Sequence, residues 1–201
     1  MLDGTVIRLF RFRPVRPGFD EILRTDLIPD LCVQTGMLGC WSARQGPDEL
    51  GPRVIVSVWD GASSAGPTLD PASDRFDRRY RDETTDWASE LHPVRMFARF
   101  PVDGEARILR VFRGRVRPGE LDAYEQEMRV GMEADANGTS GPAAICLAET
   151  GPDAFLTVSA WRDWPDIEAS TGGDTRRPRA TRRPDRLVDW DVSHFEIVGL
   201  A

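Results

Sequence analysis

The sequence DGTVIRLFR at residues 3–11 returns as DGEARILRVFR at residues 103–113. Two further matches follow in the same order: VRPG at 15–18 and 116–119, and VSVW at 56–59 with VSAW at 158–161. A period of about a hundred residues is the length of a domain and not of one solenoid turn. The repeat therefore predicts two similar domains, like a dimer fused into one chain, with two similar sites.

Each copy is predicted to run strand, helix, strand, strand, helix, strand. The alternation of apolar residues and the turn residues that interrupt it place the strands. These are residues 5–13, 39–44, 53–59 and 94–100 in the first copy, and 107–116, 143–149, 154–161 and 192–198 in the second. The domains are predicted over residues 1–100 and 106–201, joined by a short linker at 101–105.

Apolar residues at helical spacing predict the helix that follows the first strand of each copy. They are Phe19, Ile22, Leu23, Leu27 and Leu31, and then Leu121, Tyr124, Met128 and Met132. Pro29 predicts a kink in the first of these helices, because proline lacks the N–H of a helical hydrogen bond. Gly36 and Gly138 are predicted to end the two helices, since glycine adopts the left-handed conformation of a helix C-cap.

The composition limits the functions that are open to the protein. A net charge of −7 over 201 residues argues against nucleic acid or a membrane surface as a partner. All basic residues are arginines, so a mechanism that uses a lysine nucleophile is excluded. The cysteines, Cys32, Cys40 and Cys146, have no metal or disulfide spacing. No long apolar run is found, so we expect neither a signal peptide nor a transmembrane span. We therefore expect a cytoplasmic protein with free thiols.

The duplicated βαββαβ pattern resembles the ferredoxin-like dimeric α/β-barrel superfamily, and within it the antibiotic-biosynthesis-monooxygenase (ABM) type of domain. The residues that carry the resemblance are the opening strand at 6–10, the Pro-Gly turn after it, GMLG at 36–39, the hairpin strands that end in SVW and SAW, and SHFEIV at 193–198. The resemblance implies an α+β fold in which two repeats pack as an intramolecular, pseudo-dimeric α/β barrel. The protein would then be a monomer of this kind or a homodimer.

The resemblance also implies a function. It favours a monooxygenase that needs no cofactor and oxidises a planar phenolic or polyketide-like small molecule with O2. The alternative is a non-catalytic barrel protein that binds a small molecule or responds to stress. Haem degradation is disfavoured, because the haem-degrading relatives carry a histidine on the helix after the strand-end tryptophan, and neither copy has one here.

The strand-end tryptophans, Trp59 and Trp161, are the first candidates for a ligand site. Alternation along the strand places them on one face with Ser57 and Ser159, opposite an apolar face. An aromatic ring beside small polar groups suits the wall of a pocket for a flat ligand. Two buried core tryptophans with satisfied N–H groups would give the same pattern.

Further candidates come from the histidines and from the matched arginines in the strands. His194, in the last strand, is a candidate base near neutral pH, although a structural role is the alternative. His92 precedes a proline and is predicted to lie in a loop; no spacing predicts a metal site. Arg11, Arg95 and Arg113 are candidates to stabilise an anion, and Phe112 to line the pocket. Arg8 and Arg110 also match, and arginines in covered strands need partners. These arginines either orient an anionic intermediate or pair with carboxylates between the halves.

Arginines also cluster in the polar segments before each last strand. They are Arg75, Arg78, Arg79 and Arg81, and then Arg176, Arg177, Arg179, Arg182, Arg183 and Arg186. One interpretation is an anion-binding lid over each pocket. The other is a solvated loop in which the arginines lie among acidic residues.

The two copies differ at matched positions, which predicts that only one pocket works. Phe12 stands against Gly114, and Arg53 against Phe155. A loose alignment of the last strands sets Met96 against His194. The second copy is predicted to hold the working pocket, because it has the strand histidine and because Gly114 leaves room that Phe12 would fill.

Overall fold

The structure is a computed structural model that describes residues 4–65, 81–100, 104–136, 141–179 and 183–200. The first repeat contains β1 (Val6–Pro14), β2 (Met37–Arg44), β3 (Arg53–Trp59) and β4 (Thr84–Arg99). The second contains β5 (Ile108–Val116), β6 (Ala144–Gly151), β7 (Ala154–Trp161) and β8 (Leu187–Leu200). All eight predicted strands are present, and β4 and β8 begin earlier than predicted.

The helices follow the predicted order. The first repeat has a continuous helical run made of α1 (Phe19–Ile22), a π-helical turn (Leu23–Leu27) and α2 (Ile28–Cys32), and later α3 (Ala62–Ala65). The second has α4 (Leu121–Ala136) and α5 (Trp164–Thr171). A 3-10 turn precedes each last strand, at Arg81–Glu83 and Pro184–Arg186. Within the described ranges, none of these helices combines the length and the apolar character needed to cross a membrane.

The irregularity that Pro29 predicts takes the form of the π-helical turn. Pro29 cannot donate to the carbonyl of Thr25, so the helix loses one bond of its regular ladder there. π-helical turns occur mostly as single turns inside α-helices, and this one directly precedes the α-helical segment that contains the proline. Gly36 lies beyond the helix end at Cys32 and has a φ of +87°. A Cβ at Gly36 would lie 2.3 Å from Asp60 Oδ1, so glycine is required at this turn. Gly138 lies outside the described residues.

The eight strands follow one another as β1-β3-β2-β8-β5-β7-β6-β4 in a closed barrel. The α+β class with two ferredoxin-like βαββαβ repeats forming one α/β barrel is thereby confirmed. The described chain groups into two compact units, one of Met1–Pro93 with Phe195–Ala201 and the other of Val94–His194. The division by sequence repeat into 1–100 and 106–201 stays a prediction, and most of its linker lies outside the described residues.

The prediction of a loop at His92 and Pro93 is wrong, because both residues belong to β4. His92 stands opposite Ile7 of β1, and Pro93 stands opposite Val6. From Val94 onward the partner of β4 is β6, with Val94 opposite Ala148. Pro93 thus marks the point where the strand changes its partner. Proline donates no ladder hydrogen bond and is tolerated at such an interruption.

Each unit has its own helix-on-sheet core. In the first, the apolar face of the helical run packs on Phe10, Phe12, Cys40 and Ile55. In the second, α4 packs on Phe112, Ile145, Leu147 and Phe155. The predicted helix faces are confirmed: Phe19, Leu23, Leu27 and Leu31 are buried in one core, and Leu121, Tyr124 and Met132 in the other, with Ile22 and Met128 partly buried beside them.

The substitutions between the repeats compensate one another across a strand pair. Gly114 stands opposite Phe155, as Phe12 stands opposite Arg53. A Cβ at Gly114 would come within 2.5 Å of the Phe155 ring, so that ring occupies the space beside the glycine. The prediction that Gly114 leaves room for a ligand is therefore wrong, because the Phe155 ring fills that room.

Arg53 occupies the position that Phe155 has in the second unit. Its hydrogen bonds stabilise the loop between β2 and β3. Its side chain is 1% exposed, and its Nε donates to Asp20 Oδ1 at 2.6 Å. Its Nη1 donates to the carbonyl of Gly51 at 2.9 Å, and its Nη2 donates to the carbonyl of Glu49 at 3.1 Å and to Asp20 Oδ2 at 3.3 Å. A buried guanidinium with this many acceptors is the kind that proteins retain.

Candidate active site

A cavity of about 480 Å³ lies in the second unit, between the sheet and α4. The sheet side consists of Arg110, Phe112, Ile145, Thr157, Ser159 and Trp161. The helix side includes Tyr124, Glu127, Met128, Val130 and Met132, and the segment before β8 adds Pro178, Arg179, Arg183 and Arg186. The size and the mostly apolar wall with a few polar groups are typical of small-molecule sites.

The register of the strands brings the polar groups of the wall together. Arg110 of β5 stands directly opposite Ser159 of β7, and Phe112 stands opposite Thr157. Ile145 of β6 also stands opposite Ser159. Residues that are paired in an antiparallel ladder share a face, so all of these side chains lie on the face that α4 covers.

Arg110 is the dominant charge of this wall. It is 5% exposed, its Nη2 donates to the carbonyl of Arg177 at 2.5 Å, and its guanidinium lies 5.2 Å from the centre of the Phe112 ring. Its Nε has no hydrogen-bond partner, and within the described part of the chain no carboxylate forms an ion pair with it. Desolvation lowers the pKa of Arg110 to about 10, and Tyr124 opposes that shift. The group therefore stays positive at neutral pH and needs an acceptor.

Tyr124 presents a neutral hydroxyl to the same cavity. Burial raises its pKa above the ordinary value, which Arg110 opposes and Glu127 reinforces. Its ring packs on Phe155, with centroids 4.4 Å apart. The nearby Arg186 is already balanced by Glu120 at 3.1 Å and Glu127 at 2.7 Å. Arg110 is thus the buried cation in this cavity that lacks a carboxylate among the described residues.

The ring of Trp161 is part of the cavity wall, and its N–H donates a hydrogen bond to a neighbouring side chain. Its Nε1 donates to Ser159 Oγ at 2.8 Å, and its ring packs with Ile108 and Ile167. The first unit repeats this bond, from Trp59 Nε1 to Ser57 Oγ at 2.9 Å. Both indole N–H groups therefore have partners inside the protein.

No protein-family model matches the sequence, and no curated protein matches it. Solved structures do match over nearly the whole chain. A candidate monooxygenase of Fusobacterium nucleatum has a TM-score of 0.73 at 12% identity and covers 98% of this chain and 94% of its own. A candidate monooxygenase of Lactobacillus acidophilus has a TM-score of 0.70 at 10% identity, over 98% and 96%. An anthrone oxidase-like protein has a TM-score of 0.61 at 12% identity, over 99% and 93%.

The chain has the dimeric α/β-barrel fold. At such low identity the likeness shows the fold alone, so function has to be argued from the site. Of the residues proposed from sequence, the barrel brings Phe112, Ser159 and Trp161 together at the cavity.

The other arginines proposed from sequence lie elsewhere in the barrel. Arg113 stands opposite Leu156, on the face of β5 that α4 does not cover. Arg11 is the matched position in the first unit and lies 3.6 Å from Glu90. Arg95 does not line the cavity either: its guanidinium binds Asp122, Glu125 at 2.8 Å and Glu149 at 2.9 Å. Three carboxylates around one guanidinium leave it little capacity for an anionic ligand.

Trp59 also lies outside the cavity, in a small core of the first unit with Val6 and Ala65. In the second cluster of arginines, Arg179, Arg183 and Arg186 line the cavity. Arg75, Arg78, Arg79 and Arg182 lie outside the described residues. Among the described ranges, no three His, Cys, Asp or Glu side chains are grouped so that they could hold a metal ion.

His194 lies in β8 beside the cavity and does not line it. Its ring is 5.0 Å from that of Trp164 on α5, and its Nε2 is buried with no hydrogen-bond partner. Desolvation lowers its pKa to about 4, and the charges of Arg110 and Arg176 add to the shift. His194 is therefore neutral at pH 7 and a weak base.

The predicted equivalence of His194 and Met96 is wrong. β1 and β5 have the same length, so the residues that follow them, Val15 and Arg117, correspond in the structure, one residue out of step with the VRPG match. Val15 N donates to Glu83 O at 2.9 Å, and Arg117 N donates to Arg186 O at 3.0 Å, so the 3-10 turns correspond. His194 lies as many residues after Arg186 as Leu91 lies after Glu83, so His194 corresponds to Leu91. The error arose because β4 begins well before the predicted strand.

Replacing His194 with leucine, the residue at its matched position, is expected to flatten the acid side of the stability profile. The unfolded chain protonates this histidine below its ordinary pKa of 6.5, whereas the folded chain does so only below about 4. Unfolding therefore takes up a proton in this window, and the free energy of unfolding falls as the pH drops through it. Urea denaturation at about pH 7 and about pH 5 measures the change. A His194→Leu protein that loses as much stability as the wild type would show that another group is responsible.

Sequence reasoning did not select Arg110 or Tyr124 for the site. Arg110 could have been chosen from the sequence, because it lies two residues before Phe112 in the same strand and so faces the same side. In the structure it also stands opposite Ser159. Arg113 differs from Phe112 by one residue and hence lies on the opposite face. For Tyr124, the helical spacing marked a core position and gave no sign that a cavity lies in front of it.

Proposed function

We propose that the protein is a cofactor-independent monooxygenase of the ABM type, acting in the cytoplasm on a planar phenolic or polyketide-like molecule. The observation that carries this proposal is the buried guanidinium of Arg110, which faces a largely apolar cavity without a carboxylate partner in the described chain. A cavity of about 480 Å³ has room for a flat ligand of several rings. An ionised oxygen on such a ligand would supply the missing acceptor.

The chemistry needs few protein groups, because the ionised substrate itself reduces O2. The substrate loses a proton, transfers an electron to O2, and recombines with it to form a carbon–oxygen bond. The O–O bond then breaks: one oxygen atom remains as the new carbonyl oxygen, and the other leaves as water with the hydrogen of the oxidised carbon and a proton that replaces the one lost at the start. The protein binds the ring, stabilises the anion and limits access of water.

The residues of the wall divide this work. Phe112 and Trp161 provide aromatic surface, and Arg110 provides the positive charge that favours the ionised substrate. Tyr124 and Ser159 add hydroxyls beside it. His194, which lies outside the wall, has no step in this proposal, and the phenol proton leaves to water. The partners are O2 and the small aromatic molecule, and the fused barrel acts as a monomer or pairs as a homodimer.

A non-catalytic barrel that only binds a small molecule is the competing function. A cavity lined only or filled by apolar side chains would favour it, whereas this wall carries a buried cation and hydroxyls.

Oxygen consumption distinguishes the two functions. The purified protein, treated to remove metals and flavin, is mixed with a panel of anthrone-like phenols in an oxygen electrode. We expect saturable oxygen uptake with formation of a quinone product from at least one of them. Binding of the panel without uptake above that of the boiled protein would support the binding function and contradict the proposed one.

A further inference from the structure

Two hydrogen-bond donors stand side by side on the cavity wall, and neither has an acceptor among the described residues. The Nε–H of Arg110 is buried and unpartnered, and its cross-strand neighbour is Ser159. Ser159 is 3% exposed, and its oxygen accepts the N–H of Trp161. Its own proton has no acceptor among the described residues. Buried donors are nearly always satisfied in proteins, so a pair of unused ones indicates a missing ligand atom.

The bond from Trp161 determines how the serine behaves. A serine hydroxyl both accepts and donates, and with an acceptor site taken by an indole N–H its proton is left to point elsewhere. Accepting one hydrogen bond also polarises the hydroxyl and strengthens the bond that it donates. The indole N–H itself is no longer available to a ligand.

We propose that Arg110 and Ser159 together bind the oxyanion of the ligand, and that Trp161 is a positioning residue that acts through Ser159. This inference rests on the proposed function in its ligand class, a flat phenol or enol bound as a single negative charge. The remaining charged groups around the cavity are Arg179, Arg183, Arg186 and Glu127. Of these, Arg186 and Glu127 are paired with each other at 2.7 Å, and Arg183 is paired with Asp185 at 3.1 Å. Arg110 differs from them in having a buried N–H group without an acceptor in the described chain.

The inference predicts a change in the acidity of a bound phenol. The probe is 2-hydroxyanthraquinone, a planar dye whose visible absorption moves to longer wavelength on ionisation. Wild-type protein is expected to lower the pKa of the bound dye below its value in water. Ser159→Ala and Trp161→Phe should each return it upward by about one unit, a tenfold change that is typical of a lost hydrogen bond to a charged group.

The double variant separates positioning from stacking. If Trp161 acts through Ser159, the double variant should shift the pKa of the dye no further than either single change, because both remove the same bond. Ser159→Thr, which keeps the hydroxyl, should restore most of the effect. Ser57→Ala is the matched control, since Ser57 accepts the same bond from Trp59 in the first unit, and it should leave the dye unchanged. Melting temperatures establish that each variant is folded.

Three results would overturn the inference. Trp161→Phe could weaken binding of the neutral and ionised dye equally, which is the signature of stacking alone; the two changes could add; or the wild type could fail to bind the dye. The oxygen assay is scored separately. A shifted dye pKa without oxygen uptake from any phenol would leave this inference standing and contradict the proposed function.

Discussion

Replacing Arg110 with methionine is expected to reduce kcat/KM for oxygen uptake about a hundredfold while leaving the protein at least as stable as the wild type. The loss follows from removing the charge that stabilises the substrate anion; charge-assisted hydrogen bonds contribute about 1.5–3 kcal/mol each, and an apolar site strengthens them. Stability should not suffer, because a buried guanidinium without a carboxylate partner is costly and methionine fills a similar volume. A side chain kept at the expense of stability is expected at a functional site.

The matched control is Arg115→Gln, which removes an exposed arginine from the same strand and should change neither activity nor melting temperature. Steady-state kinetics and thermal melts on the three proteins provide the measurement. If Arg110→Met retained activity, the anion would be stabilised elsewhere. If it melted well below the wild type instead, Arg110 would be a structural residue that merely faces the cavity.

The largest effect on stability is expected at Asp20 in the first unit. Asp20→Ala removes the carboxylate that pairs with the buried guanidinium of Arg53 at 2.6 Å. An uncompensated buried charge costs about 3–5 kcal/mol, and we expect about 3 because the loop carbonyls still accept hydrogen bonds from Arg53. The free energy of unfolding from urea denaturation measures this change.

A second substitution identifies the cause of that loss. Arg53→Met on the Asp20→Ala background should recover part of the stability, since no buried charge then remains. Asp26→Ala, a change at an exposed acidic residue of the same helical run, is the control and should cost less than about 0.5 kcal/mol. Asp20 also lies 3.5 Å from Arg44, so no recovery in the double variant would mean that Asp20 stabilises the unit through Arg44 or through the helix end.

The strands with a clear local sequence pattern in both repeats could be predicted from the sequence. The strand segments that form only by pairing with a distant strand were harder to predict. The hairpin strands carry alternating apolar residues between turn glycines, which is a local pattern. The first half of β4 contains Asp86, Ser89, Glu90 and Pro93, residues with weak strand preference. It is a strand because it pairs with β1 from Pro14 to Val6, and such long-range pairing has no local signature.

The site was predictable only in part for the same reason. The strand-end tryptophan and its serine follow from alternation within one strand. Alternation within β5 already places Arg110 with Phe112 and Arg113 on the opposite face, but only the register between β5 and β7 shows that Arg110 stands opposite Ser159. That Arg95 is occupied by Asp122, Glu125 and Glu149 depends on α4 and β6, which lie far from it in sequence. The compensation between Gly114 and Phe155 is likewise visible only across the strand pair.

A crystal structure of the protein with 2-hydroxyanthraquinone bound would show where the ionised oxygen of a ligand lies. We expect the dye to occupy the cavity of the second unit, with its ionised oxygen about 3 Å from Arg110 Nε and Ser159 Oγ and its rings against Phe112 and Trp161. A dye bound in the first unit, or in the cavity with its oxygen turned away from Arg110, would contradict this expectation.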